Sequence, residues 1–202
     1  EKDRYGWVHK NSISGEDDDY YFGLGFAAGY KNIGFSFGSI ETCWAGIELY
    51  GADTIEKVIV KHAGADVGQG AHSIFVQIAA HVLDVPLEIV ELVASDTAQS
   101  ESSGSASASR MTLMAGNAIL GAAKAALKKW QRKERPVIAE YTYQAPPTTP
   151  FDPITGECEP NFAYGYVAEA VEVKIDKRTG KLHIIRVHCA DDVGKAINPI
   201  QV

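Results

Sequence analysis

Two short stretches hold the residue types best suited to chemistry. The first is Gly64-Ala65-Asp66-Val67-Gly68-Gln69-Gly70-Ala71-His72-Ser73. Gly68 and Gly70 leave room for a ligand to reach the backbone. The N–H groups of Gly70, Ala71 and His72 are expected to point outward at a helix start, where an anion is favoured. Gln69, between the glycines, carries a neutral amide that can donate to or accept from a bound group. The second stretch is Gly104-Ser105-Ala106-Ser107-Ala108-Ser109-Arg110. Composition alone would make it a flexible linker, but it runs straight into a long helix. A loop of small residues at a helix N-terminus is a good seat for an anion, because large side chains would block its N–H groups. Ser109 is the expected cap of that helix. Arg110 is read either as a phosphate contact or as a surface charge set against the helix dipole.

The first stretch admits competing readings. Gly68-Gln69-Gly70-Ala71-His72-Ser73 is close to a GxGxxG dinucleotide fingerprint, with Ser73 in place of the third glycine. Asp96 ends the next predicted strand, where a ribose-binding acid would sit. A purely structural glycine turn fits as well. Against the dinucleotide, the chain supplies an antiparallel hairpin rather than further βα units. Zinc-spaced Cys/His clusters, HExxH, the phosphate-binding P-loop and the GxSxG elbow are all absent. His9, His62, His72, His81, His183 and His188 are scattered and read as surface or hydrogen-bonded histidines. The adjacent Asp191 and Asp192 would face opposite sides of a strand, so they read as a solvated turn rather than an acid–base pair.

Positioning these residues takes a definite run of elements. Lys57–His62 reads as a strand, and so does Ala45–Tyr50 before it. Ile74, Phe75, Ile78, Ala79, Val82 and Leu83 recur at helical spacing after the glycine loop, and the helix ends before Pro86. Residues 89–94 read as the next strand. A second helix is predicted over 111–132, with Met114, Ala118, Ala122, Ala126 and Trp130 on one stripe. Lys128, Lys129, Arg132 and Lys133 suit its negative end. Residues 145–160 read as a proline-rich surface loop. Residues 166–176 and 181–190 read as a hairpin turning at Gly180, with one face buried. The fold expected is α+β, a mixed or antiparallel sheet with the two main helices on one face. Residues 1–21, with the acidic run Glu16-Asp17-Asp18-Asp19, are expected to be a polar arm, and residues 22–202 a single segment.

Several blocks in this order resemble one family. The glycine stretch continued through Val76-Gln77-Ile78-Ala79 to Leu83-Asp84-Val85-Pro86 is similar to the molybdenum-binding large subunit of the xanthine dehydrogenase and aldehyde oxidase family. So are Ser95-Asp96-Thr97, Gly104–Arg110 leading into Met114-Ala115-Gly116-Asn117-Ala118, and Gly25-Phe26-Ala27-Ala28-Gly29. Tyr164-Gly165-Tyr166, the Val171–Gly180 hairpin, Asp192-Val193-Gly194 and Ile197-Asn198-Pro199 follow in order. The resemblance covers roughly residues 22–202.

The resemblance implies a molybdenum–molybdopterin cofactor, in bacterial members usually the cytosine dinucleotide form. It implies that Gln69 hydrogen-bonds an oxo group on the molybdenum. Gly68, Gln69, Gly70, Ala71, Ser105, Ala106, Ser107, Ala108, Ser109 and Arg110 would bind the cofactor, with no direct protein ligand to the metal. The activity implied is hydroxylation of an aldehyde or N-heterocycle carbon with water-derived oxygen. The partners implied are the small-molecule substrate and iron–sulfur and FAD-bearing subunits or domains of the same enzyme. The aromatic, glycine-rich stretch 20–38 is a surface that such a partner would cover. The family's base is a glutamate in a Gly-Glu-Pro motif. Gly15-Glu16 and Gly156-Glu157 are the Gly-Glu pairs here, and neither precedes proline. These 202 residues are therefore expected to be a segment of a longer subunit that does not turn over by itself. A dinucleotide-binding oxidoreductase domain and a non-catalytic assembly module are the alternatives.

Composition agrees with a globular chain. Hydrophobic residues make up 46% and charged residues 22%. The net charge of −7 speaks against nucleic acid as a partner. No apolar run approaches the roughly 20 residues that span a bilayer. Cys43, Cys158 and Cys189 are widely spaced and form no CxxC, which suits reduced thiols in a cytoplasmic protein.

Overall fold

The computed structural model describes residues 19–200 and 202. His9, Gly15 and the acidic residues 16–18, with most of the expected arm, lie outside the described residues. Tyr20 and Tyr21, assigned to that arm, open the first strand instead.

The strands are β1 Tyr20–Asn32, β2 Thr42–Tyr50, β3 Lys57–His62, β4 Val90–Ala94, β5 Val137–Gln144, β6 Tyr164–Asp176 and β7 Leu182–Asp192. The helices are α1 Ala71–Leu83 and α2 Met111–Gln131, and a 3₁₀ turn at Leu87–Ile89 leads into β4. The α+β class holds, but the strands form two sheets where one was expected. β4-β3-β2-β5 is a four-stranded mixed sheet and β1-β6-β7 a three-stranded one. The chain divides into two compact units. One holds the described residues up to Lys31 with Gly165–Gly194. The other holds Asn32–Tyr164 and Lys195–Val202.

The larger unit carries both loops of interest. β3 pairs parallel with β4, and α1 makes the crossover between them. β2 pairs antiparallel with β3 on one side and with β5 on the other, so β5 runs parallel to β3 and β4. α2 therefore carries the chain from one edge of the sheet to the other. This long crossover fixes where α2 must start, above the ends of β3 and β4.

The pleat of β2 sends Cys43, Ala45, Ile47 and Leu49 to the helix side, and all are fully buried. Val58 and Val60 of β3 join them, as do Phe75 and Ala79 of α1. α2 contributes a face of small residues, Ala115, Ala118, Ala122, Ala123 and Ala126, with Met114 and Ile119 as its large ones. Small residues let α2 approach the sheet closely. At Gly121 the Tyr141 ring of β5 lies where a side chain would stand. At the far end of α2, Lys129 donates to the Ile138 carbonyl.

The smaller unit differs from the expectation of one buried face. β6 and β7 pair antiparallel with a register shift at Glu172/Val173, and Gly180 takes a φ of 70° in their turn. Within this unit no helix packs on the sheet. Ala170 is the one strand residue of β6 that is buried, and Ile184 and Val187 stand 63% and 51% exposed. Phe26 and Tyr30 of β1 are exposed as well, at 56% and 73%. No helix among the described residues is long and apolar enough to cross a membrane.

Candidate functional site

The glycine loop leaves the end of β3 and enters α1. Gly68 (φ 104°) and Gly70 (φ 79°) take conformations that a side chain would strain, and a Cβ on Gly68 would meet open space. The N–H groups behave differently from the sequence expectation. Asp66 folds its carboxylate over the start of α1, accepting from Gly68 N–H at 2.9 Å, Gly70 N–H at 3.3 Å and His72 N–H at 3.1 Å. The helix thus carries its own anion, and of the expected Gly70, Ala71 and His72 donors only Ala71 N–H is left without a partner among the described residues. The His72 and Gly68 N–H groups hold the Asp66 carboxyl below its ordinary pKa. An aspartate four residues before the helix N-cap was the available signal for this cap.

Gln69 is exposed, and its amide folds back on the loop. Oε1 accepts from Val67 N–H at 2.6 Å and Nε2 donates to the Ala65 carbonyl at 3.1 Å. An amide nitrogen carries two hydrogens, so one remains for a ligand.

The second loop, residues 95–110, is ordered throughout by hydrogen bonds. Asp96 accepts from Ala98 N–H and from Gln99 Nε2, which pulls its pKa down and leaves it turned into its own loop. That is the wrong posture for a ribose acid and removes the main support for the dinucleotide reading. Ser103 is buried. Its hydroxyl donates to the Trp44 carbonyl and accepts from Ala63 N–H, latching the loop to the ends of β2 and β3. Ser105 and Ser107 are exposed and bonded to each other at 2.8 Å.

At the α2 start the cap differs from expectation. The N-cap is Arg110, with no side-chain cap, and Ser109 sits before it with φ 55°, as does Ala108. The first turn holds no acidic residue. The N–H groups of Ser109, Met111, Thr112 and Leu113 have no partner among the described residues. This helix end, unlike that of α1, is open to an external anion.

Arg110 is not a surface charge; its guanidinium turns inward onto backbone carbonyls. It is 2% exposed. Nη1 donates to the carbonyls of Ser103 (2.8 Å) and Ser105 (2.9 Å), and Nη2 to that of Thr42 (2.8 Å). Its Nε lies 3.4 Å from Glu41 Oε1, which also accepts from Phe35 N–H at 2.9 Å. Glu41 and Arg110 form a buried ion pair that sequence reasoning missed. The signal was an arginine at a helix N-terminus, unfavourable at the surface and acceptable only with a counter-charge.

Beneath the glycine loop lies a fully buried imidazole. His62 Nδ1 accepts from Gly64 N–H at 2.8 Å, which places the proton on Nε2, 3.4 Å from Cys43 Sγ. Burial, then the nearby His72 and Arg110 charges, brings His62 down to about 4. Burial pushes the Cys43 thiol up to about 11, so the pair is neutral and structural. His72 bonds the Gly64 carbonyl through Nε2 at 3.0 Å. Among the described residues, no group of three or more His, Cys, Asp or Glu could hold a metal ion.

A βαβ unit with an open glycine loop stands beside a second helix end that is free of acidic groups. Together they define a cofactor-binding α+β domain of the kind that holds its ligand by backbone N–H groups. The family model described as the molybdopterin cofactor-binding domain matches residues 2–138 and 125–202. The chain belongs to that family. It is 25% identical over 185 residues to a xanthine dehydrogenase of Oryza sativa subsp. japonica, covering 83% of this chain and 13% of that protein. It is 28% identical over 212 residues to the 6-hydroxypseudooxynicotine dehydrogenase complex subunit gamma of Paenarthrobacter nicotinovorans, covering 88% and 25%. The aldehyde oxidoreductase structure of Desulfovibrio desulfuricans superposes with a TM-score of 0.81 at 25% identity, over 99% of this chain and 23% of that one. The chain thus spans a quarter or less of each of these three proteins. The residues present fit such a cofactor, since the open backbone at Gly68 and the uncapped α2 terminus form a cradle of small residues facing out.

Proposed function

We propose that residues 22–202 act as the cofactor-binding segment of a molybdenum hydroxylase, an oxidoreductase of the xanthine dehydrogenase and aldehyde oxidase kind. Its substrate is an aldehyde or N-heterocycle hydroxylated with water-derived oxygen, and it works in the cytoplasm. Gly68, Gln69, Gly70, Ala71 and Ser105–Ser109 hold molybdenum–molybdopterin in its cytosine dinucleotide form. When bound, that group supplies the two-electron oxidation, and the electrons leave through iron–sulfur clusters and FAD on partner subunits or domains. The observation that carries this reading is the α2 terminus, open and free of acid beside a loop of small residues. There the N–H groups of Ser109, Met111 and Thr112 bind phosphate, and the serine hydroxyls orient the group. Ala71 N–H and the second Nε2 hydrogen of Gln69 face it from the other loop.

Two outcomes test the reading. In the full-length subunit, Gln69→Ala is expected to lower kcat roughly ten-fold or more, as for a lost hydrogen bond to a charged group. Because Gln69 is exposed, the stability of the subunit should move by no more than about 0.5 kcal/mol. Parallel losses of stability and activity would remove Gln69 from the site. The 202 residues alone contain no Gly-Glu-Pro glutamate and should show no molybdenum-dependent hydroxylation. Measurable turnover by this chain alone would overturn the assignment of the base to the rest of the subunit.

A further inference from the structure

We propose that Arg110 is a positioning residue that turns the backbone donors of the 103–109 loop toward the cofactor without touching it. The proposal rests on the reading of that loop as the cofactor cradle.

Peptide geometry sets the direction of these donors. In a trans peptide the C=O of one residue and the N–H of the next point to opposite sides of the plane. Arg110 Nη1 draws the carbonyls of Ser103 and Ser105 inward, at 2.8 and 2.9 Å. The N–H groups of Gly104 and Ala106 must then face away from the guanidinium; Gly104 N–H donates to Ser102 Oγ at 3.3 Å, which leaves Ala106 N–H for a ligand. Gly34 N–H does the same from another direction, holding the Ala108 carbonyl at 2.8 Å and so turning Ser109 N–H outward. Without inward anchors, a loop of Ser, Ala and Gly would sample many orientations, and binding would have to order it.

Only a guanidinium suits this place. Its rigid fork reaches two loop carbonyls and the Thr42 carbonyl on β2 together, tying the loop to the sheet. A lysine has one nitrogen and cannot span them. Glu41 keeps the buried charge compensated, and both side chains are 2% exposed. Gly104 lies flat on the fork. A Cβ there would come within 2.6 Å of Nη1 and 3.0 Å of Cζ. A small residue at 104 is therefore required by Arg110 as well as by access to the backbone. Because Glu41 offsets most of its charge, Arg110 shapes the cradle more than it attracts the anion.

The test compares molybdenum content with melting temperature in the full-length subunit produced with its cofactor. Arg110→Lys is expected to lower molybdenum per polypeptide at least ten-fold. Ile119→Ala, a core cavity in α2 away from the loop, serves as the comparator. It should keep molybdenum within two-fold of wild type even when its melting temperature falls as far. Gly104→Ala, which strains a φ of 71° and presses on the buried Arg110 fork, should lower the melting temperature and lose molybdenum three-fold or more, beyond what Ile119→Ala loses at an equal melting shift. If Arg110→Lys and Gly104→Ala retain molybdenum like wild type, the inference fails while the cofactor reading stands. If molybdenum loss merely follows the melting shift in all three variants, Arg110 is structural only and the inference fails. If the wild-type subunit itself holds no molybdenum–pterin, the cofactor reading fails and the inference falls with it.

Discussion

Phe75→Ala is expected to destabilise the larger unit by about 3–5 kcal/mol. Phe75 is fully buried on the inner face of α1, and its ring centroid lies 4.4 Å from that of His62. The His72 ring centroid lies 6.0 Å away. The cavity left by alanine cannot close cheaply. His62 is pinned by Gly64 N–H and Cys43, and α1 is held at its start by the Asp66 cap. The expected loss is a large share of the 5–15 kcal/mol that stabilises a typical domain. Phe75→Leu, which keeps most of the volume, should cost about 1.5 kcal/mol or less. Urea unfolding of the three proteins measures both, and a loss under about 1 kcal/mol for the alanine variant would mean that the site collapses freely. Because Phe75 also supports the histidine beneath the glycine loop, amide exchange at Gly64 and Gly68 should quicken in the alanine variant.

The features legible in the sequence are the local ones. The β-branched run of β3, the glycine turn and the helical period of α1 all lie within a few tens of residues, so their pattern reads directly. The buried alanine stripe of α2 reads for the same reason. Partners far apart in sequence do not read. Two sheets rather than one result from β1 pairing with β6, more than 130 residues later in the chain order. β5 escaped notice because Val137 and Ala139 are its buried residues, while Ile138 and Tyr141 are exposed apolar side chains that blur the alternation. At the site, the positions of the two loops were legible but their allotment of donors was not. Asp66 closes the helix end that the glycine pattern advertises. The end that stays open depends on Arg110 reaching back to Thr42, 68 residues away. Composition registers neither, because a serine-rich loop looks the same whether a buried arginine anchors it or nothing does.

Stability is expected to fall between pH 6.5 and 4 through His62 alone, by up to about 3 kcal/mol. Burial, first, and the charges of His72 and Arg110 bring its folded-state pKa down from 6.5 to about 4. Above pH 6.5 neither the folded nor the unfolded chain protonates this ring, and its contribution is intact. As pH falls through 6.5 the unfolded chain takes up a proton that the folded chain refuses. The folded state then loses ground by about 1.4 kcal/mol per pH unit until the ring protonates in place near pH 4. The carboxylates with lowered pKa values, Glu48 and the aspartates Asp66, Asp96, Asp152 and Asp176, act in the same direction at lower pH, below unfolded values near 4.5 and 3.8. The two windows therefore separate. His62→Gln removes the titrating ring and keeps an amide that can accept from Gly64 N–H. It should be less stable than wild type at pH 7, and the gap should narrow steadily between pH 6.5 and 4.5. Unfolding free energies at half-unit steps would show this, and parallel profiles for the two proteins would place the acid sensitivity elsewhere. Protonation of His62 would also break its bond from Gly64 N–H, at the foot of the loop that carries Gln69. Acid should consequently loosen the glycine loop before it unfolds α2, so that amide exchange at Gly68 rises at pH values where Ala118 is still protected.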